Sequence, residues 1–253
     1  MTLVIEAPAK ARARTGISVI IPVLNEEEAI GAVIDGLGRE DIDEIIIADG
    51  GSRDRTVAVA AAHGARVIHA GKGYGRACFQ GAAAVGAGCR ILVFMDGDGA
   101  DVTSELPRLV APIAAGTHDF VIASRARGLR EPGSMAWHQL AAGRIIGMFI
   151  GWTSGKHYTD LCAFRAIRSD TLAALDMREM TYGWNLEMQM KAGYHHLRVL
   201  ELAVPYRRRI GGRSKVAGSV RGTIKAGTRI LMVLAAIAIR PRRKPEGNDA
   251  RHW

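Results

Sequence analysis

Polar residues break the chain into short apolar runs. The first, "GISVIIPV", predicts a strand at about 17–23, with Pro22 closing the β run. "LNEEEAIGAVIDGL" then predicts a helix capped by Asn25, with Glu26, Glu27 and Glu28 in its first turn, where the helix dipole favours negative charge. "IDEIIIADGGSRDRTVAVAAAHGA" repeats the unit: a strand ending at Asp49, a glycine turn, and a helix capped by Ser52 or Asp54 and closed near Gly64. "ARVIHAG" is a short third strand and "GYGRACFQGAAAVGAG" a helix of small residues. "CRILVFMD" is apolar throughout, the mark of a strand buried on both faces, and "HDFVIASR" is a fifth strand.

Strands alternating with helices imply an α/β class, with right-handed crossovers and a mostly parallel sheet. In such sheets ligands bind beyond the carboxyl ends of the strands. Four polar clusters fall at those ends: Asn25-Glu26, Asp49 to Ser52, Asp96-Gly97-Asp98 and Ser124-Arg125. After residue 130 the pattern changes. A helix with little charge spans about 135–152, followed by "YTDLCAFRAI", a helix from Ser169, "TYGWNLEMQMKAGY", the strand "LRVLELAVPY", the basic stretch "RRRIGGRSK" and a last helix. The expected organisation is a disordered tail over 1–15, one domain over 16–216, a basic amphipathic helix over 217–240 and a disordered tail over 241–253.

Composition narrows the functional classes. A chain of 253 residues with 48% hydrophobic and 23% charged residues suits a single globular domain. The N-terminus carries no apolar core of a secretory signal. The longest uncharged apolar runs, "IIGMFIGWTSG" and "ILMVLAAIAI", are each about half of the ~20 residues a membrane span needs. Three scattered cysteines, Cys78, Cys89 and Cys162, argue against a zinc site or a disulfide framework and fit a reducing cytosol. The net charge is +9, and no acidic residue lies between Glu201 and Glu246. Such a block seeks phosphate, nucleic acid or a membrane surface.

"DGDGAD" (Asp96 to Asp101) admits three readings. A calcium loop counted from Asp96 would need ligands where Ala100 and Pro107 stand, so it fails. A structural turn is compatible with Asp and Gly. The third reading is a Mg²⁺ or Mn²⁺ site on Asp96 and Asp98 that completes its shell with substrate phosphate, Gly97 and Gly99 allowing close approach. "GKGYGR" lacks the residues of a P-loop and does not fit GxGxxG; it reads as a turn into a helix or, through Lys72 and Arg76, as a neutraliser of phosphate.

The blocks "VIIPVLNEEEAIGAVI", "IIIADGGSRDRT", "GKGYGRACFQGAAAVGAGCRILVFMDGDGAD" and "DFVIASRARG" resemble family 2 glycosyltransferases of GT-A fold. "YTDLCAFRAIRSDTL", "YGWNLEMQMKA" and "VPYRRRIGGRSKV" resemble the branch that glycosylates dolichyl and other polyprenyl phosphates. The resemblance covers roughly residues 17–220. It implies that Pro22, Asn25 and Glu26 line a nucleotide site, that Asp49 contacts the base, and that Asp96 and Asp98 serve the metal and the donor diphosphate. It further implies that Arg125 and Arg144 hold an acceptor phosphate, and that Arg209, Ser214 and Lys215 close over the diphosphate. Asp160 and Glu187 fall in matching blocks near the site. Three departures bear on donor identity: the usual DDGS is here Asp49-Gly50-Gly51-Ser52, a frequent Gln ligand is Ala100 with Asp101 beside it, and the Gly before Phe164 is Ala163.

The implied reaction is an inverting transfer of a hexose from a UDP- or GDP-sugar to polyprenyl phosphate. A phosphate monoester is already anionic, so no strong base is required, whereas a hydroxyl acceptor would need a carboxylate such as Asp160 or Glu187. Arg221, Lys225 and Arg229 recur every four residues ahead of "ILMVLAAIAI" and "RPRRK", which suits the cytoplasmic face of an anionic membrane or a helix packed on the core. A soluble acceptor is the alternative within the enzyme class. A nucleic-acid partner is disfavoured, because the basic region has no aromatic between Tyr206 and Trp253.

Overall fold

A computed structural model describes residues 15–135 and 137–211. Its centre is a sheet of β1 (Ile17–Val23), β2 (Glu44–Asp49), β3 (Arg66–His69), β4 (Ile91–Phe94), β5 (Phe120–Ser124), β6 (Arg165–Arg168) and β7 (Val199–Ala203). The spatial order is β3-β2-β1-β4-β6-β5-β7. β1 pairs in parallel with β2 and β4, β2 with β3, and β5 with β7. β6 runs antiparallel to both of its neighbours, β4 and β5. Six strands therefore share one direction, and β6 alone is reversed. β1, β4 and β5 are buried at nearly every position, which explains why their runs do not alternate.

The helices among the described residues are α1 (Ile30–Gly36), α2 (Thr56–Ala62), α3 (Tyr74–Ala83), α4 (Leu106–Ala114), α5 (Trp137–Ser154), α6 (Ser169–Ala174) and α7 (Trp184–Tyr194). α1 and α3 take opposite faces of β1. A Cβ on Gly81 of α3 would meet Ile20, while Ile30 of α1 lies with Ile21 and Val23 around Gly97. Alternate residues of a strand point to opposite faces, so both sides of the sheet are covered. α4 packs on β4, β5 and β6, and α7 joins α3 and α5. Trp184 of α7 is buried edge-on to Phe94 at 6.2 Å.

Two local expectations change. Glu26, Glu27 and Glu28 precede α1 rather than forming its first turn, and Asn25 does not cap it. Asn25 instead takes a left-handed conformation (φ 52°) and spends its side chain on the next loop. α4 was not anticipated in "SELPRLVAPIAAG", where Pro107 sits in the first turn and Pro112 inside the helix. Ser214, Lys215 and the expected basic helix over 217–240 lie outside the described residues, as do both expected tails.

Candidate active site at the carboxyl edge

Because β1, β2, β4 and β5 are parallel, their polar ends meet along one edge. The reversed β6 adds its own beginning to that edge, so the segment carrying Asp160 and Cys162 arrives where the other strands leave. Antiparallel pairing thus brings a fifth polar cluster to the site.

The first two loops are laced together. Asn25 N–H donates to Ser52 Oγ at 2.9 Å, and Asn25 Oδ1 accepts from Arg53 N–H at 2.8 Å. Glu26 N–H donates to the buried Thr56 Oγ1 at 2.8 Å. Asp49 is buried and accepts from the N–H groups of Gly51 and Ser52 at 3.0–3.2 Å, so its carboxylate shapes the glycine turn. Pro22 is half-buried at the end of β1. Together these residues form a rigid shelf beside the aspartates.

The three aspartates of the β4 turn have different surroundings. Asp96 is half-buried, and its carboxylate takes no hydrogen bond from the described residues. Asp98 is buried; its Oδ1 accepts from Ala100 N–H at 2.9 Å, and its Oδ2 pairs with Arg209 Nη2. Asp101 is buried, and its Oδ2 accepts from Asp96 N–H at 3.1 Å, which braces the turn from within. Burial first, and then the charge of Asp98, raise Asp96 to about 7. Burial and the charges of Asp96 and Asp98 raise Asp101 to about 8. Gly97 is required by packing, because a Cβ there would fall 2.8 Å from Val23 Cγ1.

No group of three or more His, Cys, Asp or Glu among the described residues is arranged to hold a metal unaided. Asp96 and Asp98 nevertheless fit Mg²⁺ or Mn²⁺, which bind through one or two carboxylates and take the remaining oxygens from substrate phosphate and water. Burial, and then the neighbouring charge of Asp98, weaken the acidity of Asp96, and a cation would favour its ionised form.

On the other flank Arg125 is committed to Asp160. Its backbone N–H, Nε and Nη2 all donate to that carboxylate at 2.7–2.9 Å. Burial works to raise Asp160, but Arg125 overrides it and holds the carboxyl below its ordinary value. The guanidinium also stacks on Tyr206, 5.1 Å from the ring centre. Glu187 serves the scaffold: its Oε2 accepts from Arg178 and Glu179 N–H at 3.0 and 2.7 Å, and its Oε1 pairs with Lys191 at 2.9 Å. That fixes the 178–181 segment, whose backbone receives the start of α3: Cβ atoms on Gly73 and Gly75 would fall 2.5 and 2.2 Å from the Met180 and Glu179 carbonyl oxygens. The glycines of "GKGYGR" therefore permit close packing, while Lys72 and Arg76 stay exposed.

Arg144 is exposed on α5. It makes no hydrogen bond or ion pair with the described residues. Three residues of the site had not been singled out. Tyr206 bridges backbone-to-backbone to Asp101 and Arg130. Thr159 accepts or donates with Ser124 Oγ at 2.7 Å and donates to Glu201 Oε1 at 2.9 Å. Arg165 is fully buried, with guanidinium bonds to the carbonyls of Cys162, Ala163 and Asn185. "VPYRRR" and "YTDLCAFRAI" carried them, but only the folded chain shows their partners.

Known proteins place the chain in a family. The family description "Glycosyl transferase family 2" matches residues 18–174. An uncharacterised glycosyltransferase of Mycobacterium tuberculosis is 34% identical over 215 residues, covering 83% of this chain and 94% of that one. The polyprenol monophosphomannose synthase of Mycolicibacterium smegmatis is 27% identical over 228 residues, covering 85% of this chain and 86% of the other. Among solved structures, glucosyl-3-phosphoglycerate synthase of Mycobacterium tuberculosis, in complex with Mn²⁺, UDP-glucose and phosphoglyceric acid, superposes with a TM-score of 0.71 at 22% identity over 94% of this chain and 87% of that one. The chain belongs to glycosyl transferase family 2 and is a nucleotide-sugar glycosyltransferase of GT-A fold.

Proposed function

We propose that the protein moves a hexose from a UDP- or GDP-sugar to a polyprenyl phosphate, working as a peripheral enzyme at the cytoplasmic face of a membrane with Mg²⁺ or Mn²⁺. The observation that carries the lipid acceptor is the two-faced α5. Its inner stripe, Gly143, Gly147 and Gly151, packs on residues 157–159, immediately before Asp160 and hence beside Arg125. Its outward side exposes Ile145, Met148 and Trp152 at 62%, 60% and 84%. An apolar surface flanked by Arg144 and joined to the segment that holds Arg125 suits an acceptor with an anionic head and a lipid tail.

In this reading the shelf of Pro22, Asn25, Glu26 and Asp49 receives the nucleoside. Asp96 and Asp98 hold the cation, which neutralises charge on the departing diphosphate. An acceptor phosphate oxygen attacks the sugar C1 as the C1–O bond to the diphosphate breaks, with inversion, and its electrons leave on the nucleoside diphosphate. Arg209, with Ser214 and Lys215, meets that developing charge. Arg125, fixed by Asp160 and Tyr206, and Arg144 hold the acceptor phosphate. The 217–240 segment adds basic charge toward the membrane.

A phosphorylated soluble acceptor is the second reading, favoured by the phosphoglyceric acid bound in the structural neighbour. One experiment separates the two. The protein is incubated with a panel of UDP- and GDP-sugars, Mg²⁺ or Mn²⁺, and either polyprenyl phosphate or phosphoglycerate. Labelled sugar in the organic phase is expected; turnover only with the water-soluble acceptor would sink the lipid proposal.

A further inference from the structure

Residues 206–211 cross the carboxyl edge as a strap. Arg207 N–H donates to Ala100 O at 3.0 Å and Ile210 N–H to Asp98 O at 2.9 Å, so the strap is sewn to the β4 turn by its backbone. The Ile210 side chain covers Gly99; a Cβ on Gly99 would fall 2.5 Å from Ile210 Cδ1. At the far end Gly211 lies against Glu28, where a Cβ would fall 2.0 Å from Glu28 Oε2. The strap thus runs from the aspartates to the loop after β1, across the ground between a nucleoside shelf and a metal site.

Arg209 sits at the middle of this crossing. Its Nη2 takes Asp98 Oδ2, and Ala100 N–H takes Oδ1, so both oxygens of Asp98 are engaged. The Arg209 Nη1 is buried without a hydrogen-bond partner among the described residues. An arginine nitrogen buried without a partner is costly, and on a guanidinium already paired with Asp98 it is a donor open to a further acceptor. Asp96, by contrast, carries no such partner.

Resting on the metal–diphosphate reading above, we propose that Arg209 acts as a built-in counter-ion. It occupies Asp98 while the site is empty and exchanges that carboxylate for the donor's diphosphate when cation and nucleotide enter together. A cation arriving alone must displace Arg209 from Asp98 and leave the guanidinium without its hydrogen-bonded carboxylate. A cation arriving with a diphosphate supplies the replacement, because a guanidinium binds phosphate through the same paired N–H geometry. Metal and nucleotide binding are therefore coupled, each raising the affinity of the other by the same factor. The device keeps the carboxylate pair from holding a cation unproductively and delivers positive charge to the leaving group in the same movement.

The test is Mn²⁺ binding, read by the loss of the free-ion electron paramagnetic resonance signal as protein is added. It is run without nucleotide and with UDP or GDP, after subtraction of Mn²⁺ held by nucleotide alone. Wild type binds Mn²⁺ weakly alone and more tightly with the nucleotide. Arg209→Gln binds Mn²⁺ alone about tenfold more tightly than wild type, and the nucleotide then adds less. Ile210→Gly, which loosens the strap but keeps the charge, moves in the same direction by a smaller factor. Arg208→Gln removes an equal charge one residue away, from a side chain that donates to Pro132 O rather than to Asp98, and is expected to leave Mn²⁺ affinity near wild type. Unchanged or weaker Mn²⁺ binding in Arg209→Gln, or equal tightening in Arg208→Gln, overturns the exchange. Asp98→Asn separates the two levels of inference. If it keeps full Mn²⁺ affinity with nucleotide present, the metal reading itself fails. If it loses that affinity while Arg209→Gln is unchanged, only the exchange fails.

Discussion

The two flanks of the carboxyl edge hold their carboxylates by different means. On the donor flank the primary partners are backbone N–H groups close in sequence: Asp49 accepts from Gly51 and Ser52, Asp98 from Ala100, and Asp101 from Asp96, with Arg209 added to Asp98 from 111 residues away. On the acceptor flank they are distant. Asp160 binds Arg125 across 35 residues, and Glu201 binds Thr159 across 42. Local turns can present a carboxylate without relying on the rest of the fold. Long-range pairs make the site depend on the fold, and the fold on the site.

The sharpest way to break this contrast is to remove one aspartate from each flank. Asp98→Ala should cut transfer by about 10³-fold or more while keeping the circular dichroism spectrum and lowering the melting temperature less than Asp160→Ala does, because the relief of crowding among the aspartates offsets the loss of the pair with the partly exposed Arg209. Asp160→Ala should lower transfer and also unfold more readily. It leaves the largely buried Arg125 guanidinium without its partner, a defect worth about 3–5 kcal/mol, or roughly 6–20 °C in melting temperature for a chain of this size. Equal melting temperatures in the two variants would erase the distinction.

The same contrast explains what could be read before the fold was known. β1, β2, β4 and β5 announce themselves by unbroken apolar runs, and their polar ends follow at once, so Asn25, Asp49, Asp96, Asp98 and Arg125 were legible as one edge. β6 was not, because "RAIR" is short and carries a buried Arg165 whose charge is met by carbonyls of Cys162, Ala163 and Asn185. No pattern in one segment reveals an antiparallel strand slipped between two parallel ones. Tyr206 was hidden for a similar reason, since its place under Arg125 depends on a bridge to Asp101. Asn25 was misjudged as a helix cap, because its actual neighbour Arg53 lies on another element, and the packing need at Gly97 was hidden because Val23 belongs to β1.

α5 sharpens the comparison within a single helix. On its inner side Gly147→Ala would place a Cβ 1.8 Å from Tyr158 O, against backbone that leads directly to Asp160. The helix must shift outward, and a loss of about 1–3 kcal/mol is expected, with a fall in transfer larger than stability alone explains. The check is chemical denaturation alongside the organic-phase assay. A variant with wild-type stability would mean that the glycine stripe does not set the contact.

Acidity supplies a subtler distinction. Asp96 at about 7 and Asp101 at about 8 stand above the ordinary 3.8, so between pH ~4 and 8 the folded protein keeps protons that the unfolded chain has released. Stability from this source is full below about pH 4 and is lost as pH climbs through 7 and 8. In a chelator the melting temperature should fall by a few degrees from pH 5.5 to 8.5, and Asp101→Asn should flatten the fall. Asp160 is shifted the other way, so its contribution is present at neutral pH and is lost only in acid, as pH falls through its lowered value. A melting temperature that rises across pH 5.5 to 8.5 would contradict the crowding of the donor flank.

The smallest effect on the protein itself is expected on the outward face of α5. Ile145, Met148 and Trp152 are exposed, so replacing Met148 and Trp152 with Ser removes little that the described fold buries, and the melting temperature should move by no more than about 2 °C. Their value, if the acceptor is a lipid, lies in transfer from water to an interface, at about 25 cal/mol for each Å² of apolar surface covered. Two such side chains are worth enough to change partitioning severalfold. Sedimentation with anionic vesicles should therefore weaken in the double variant. Transfer to polyprenyl phosphate in vesicles should weaken with it, and transfer to a short-chain acceptor in detergent should not. An equal loss in both assays would place those residues in the folded core of the reaction rather than at its lipid margin, and α5 would then belong with the long-range pairs of the acceptor flank.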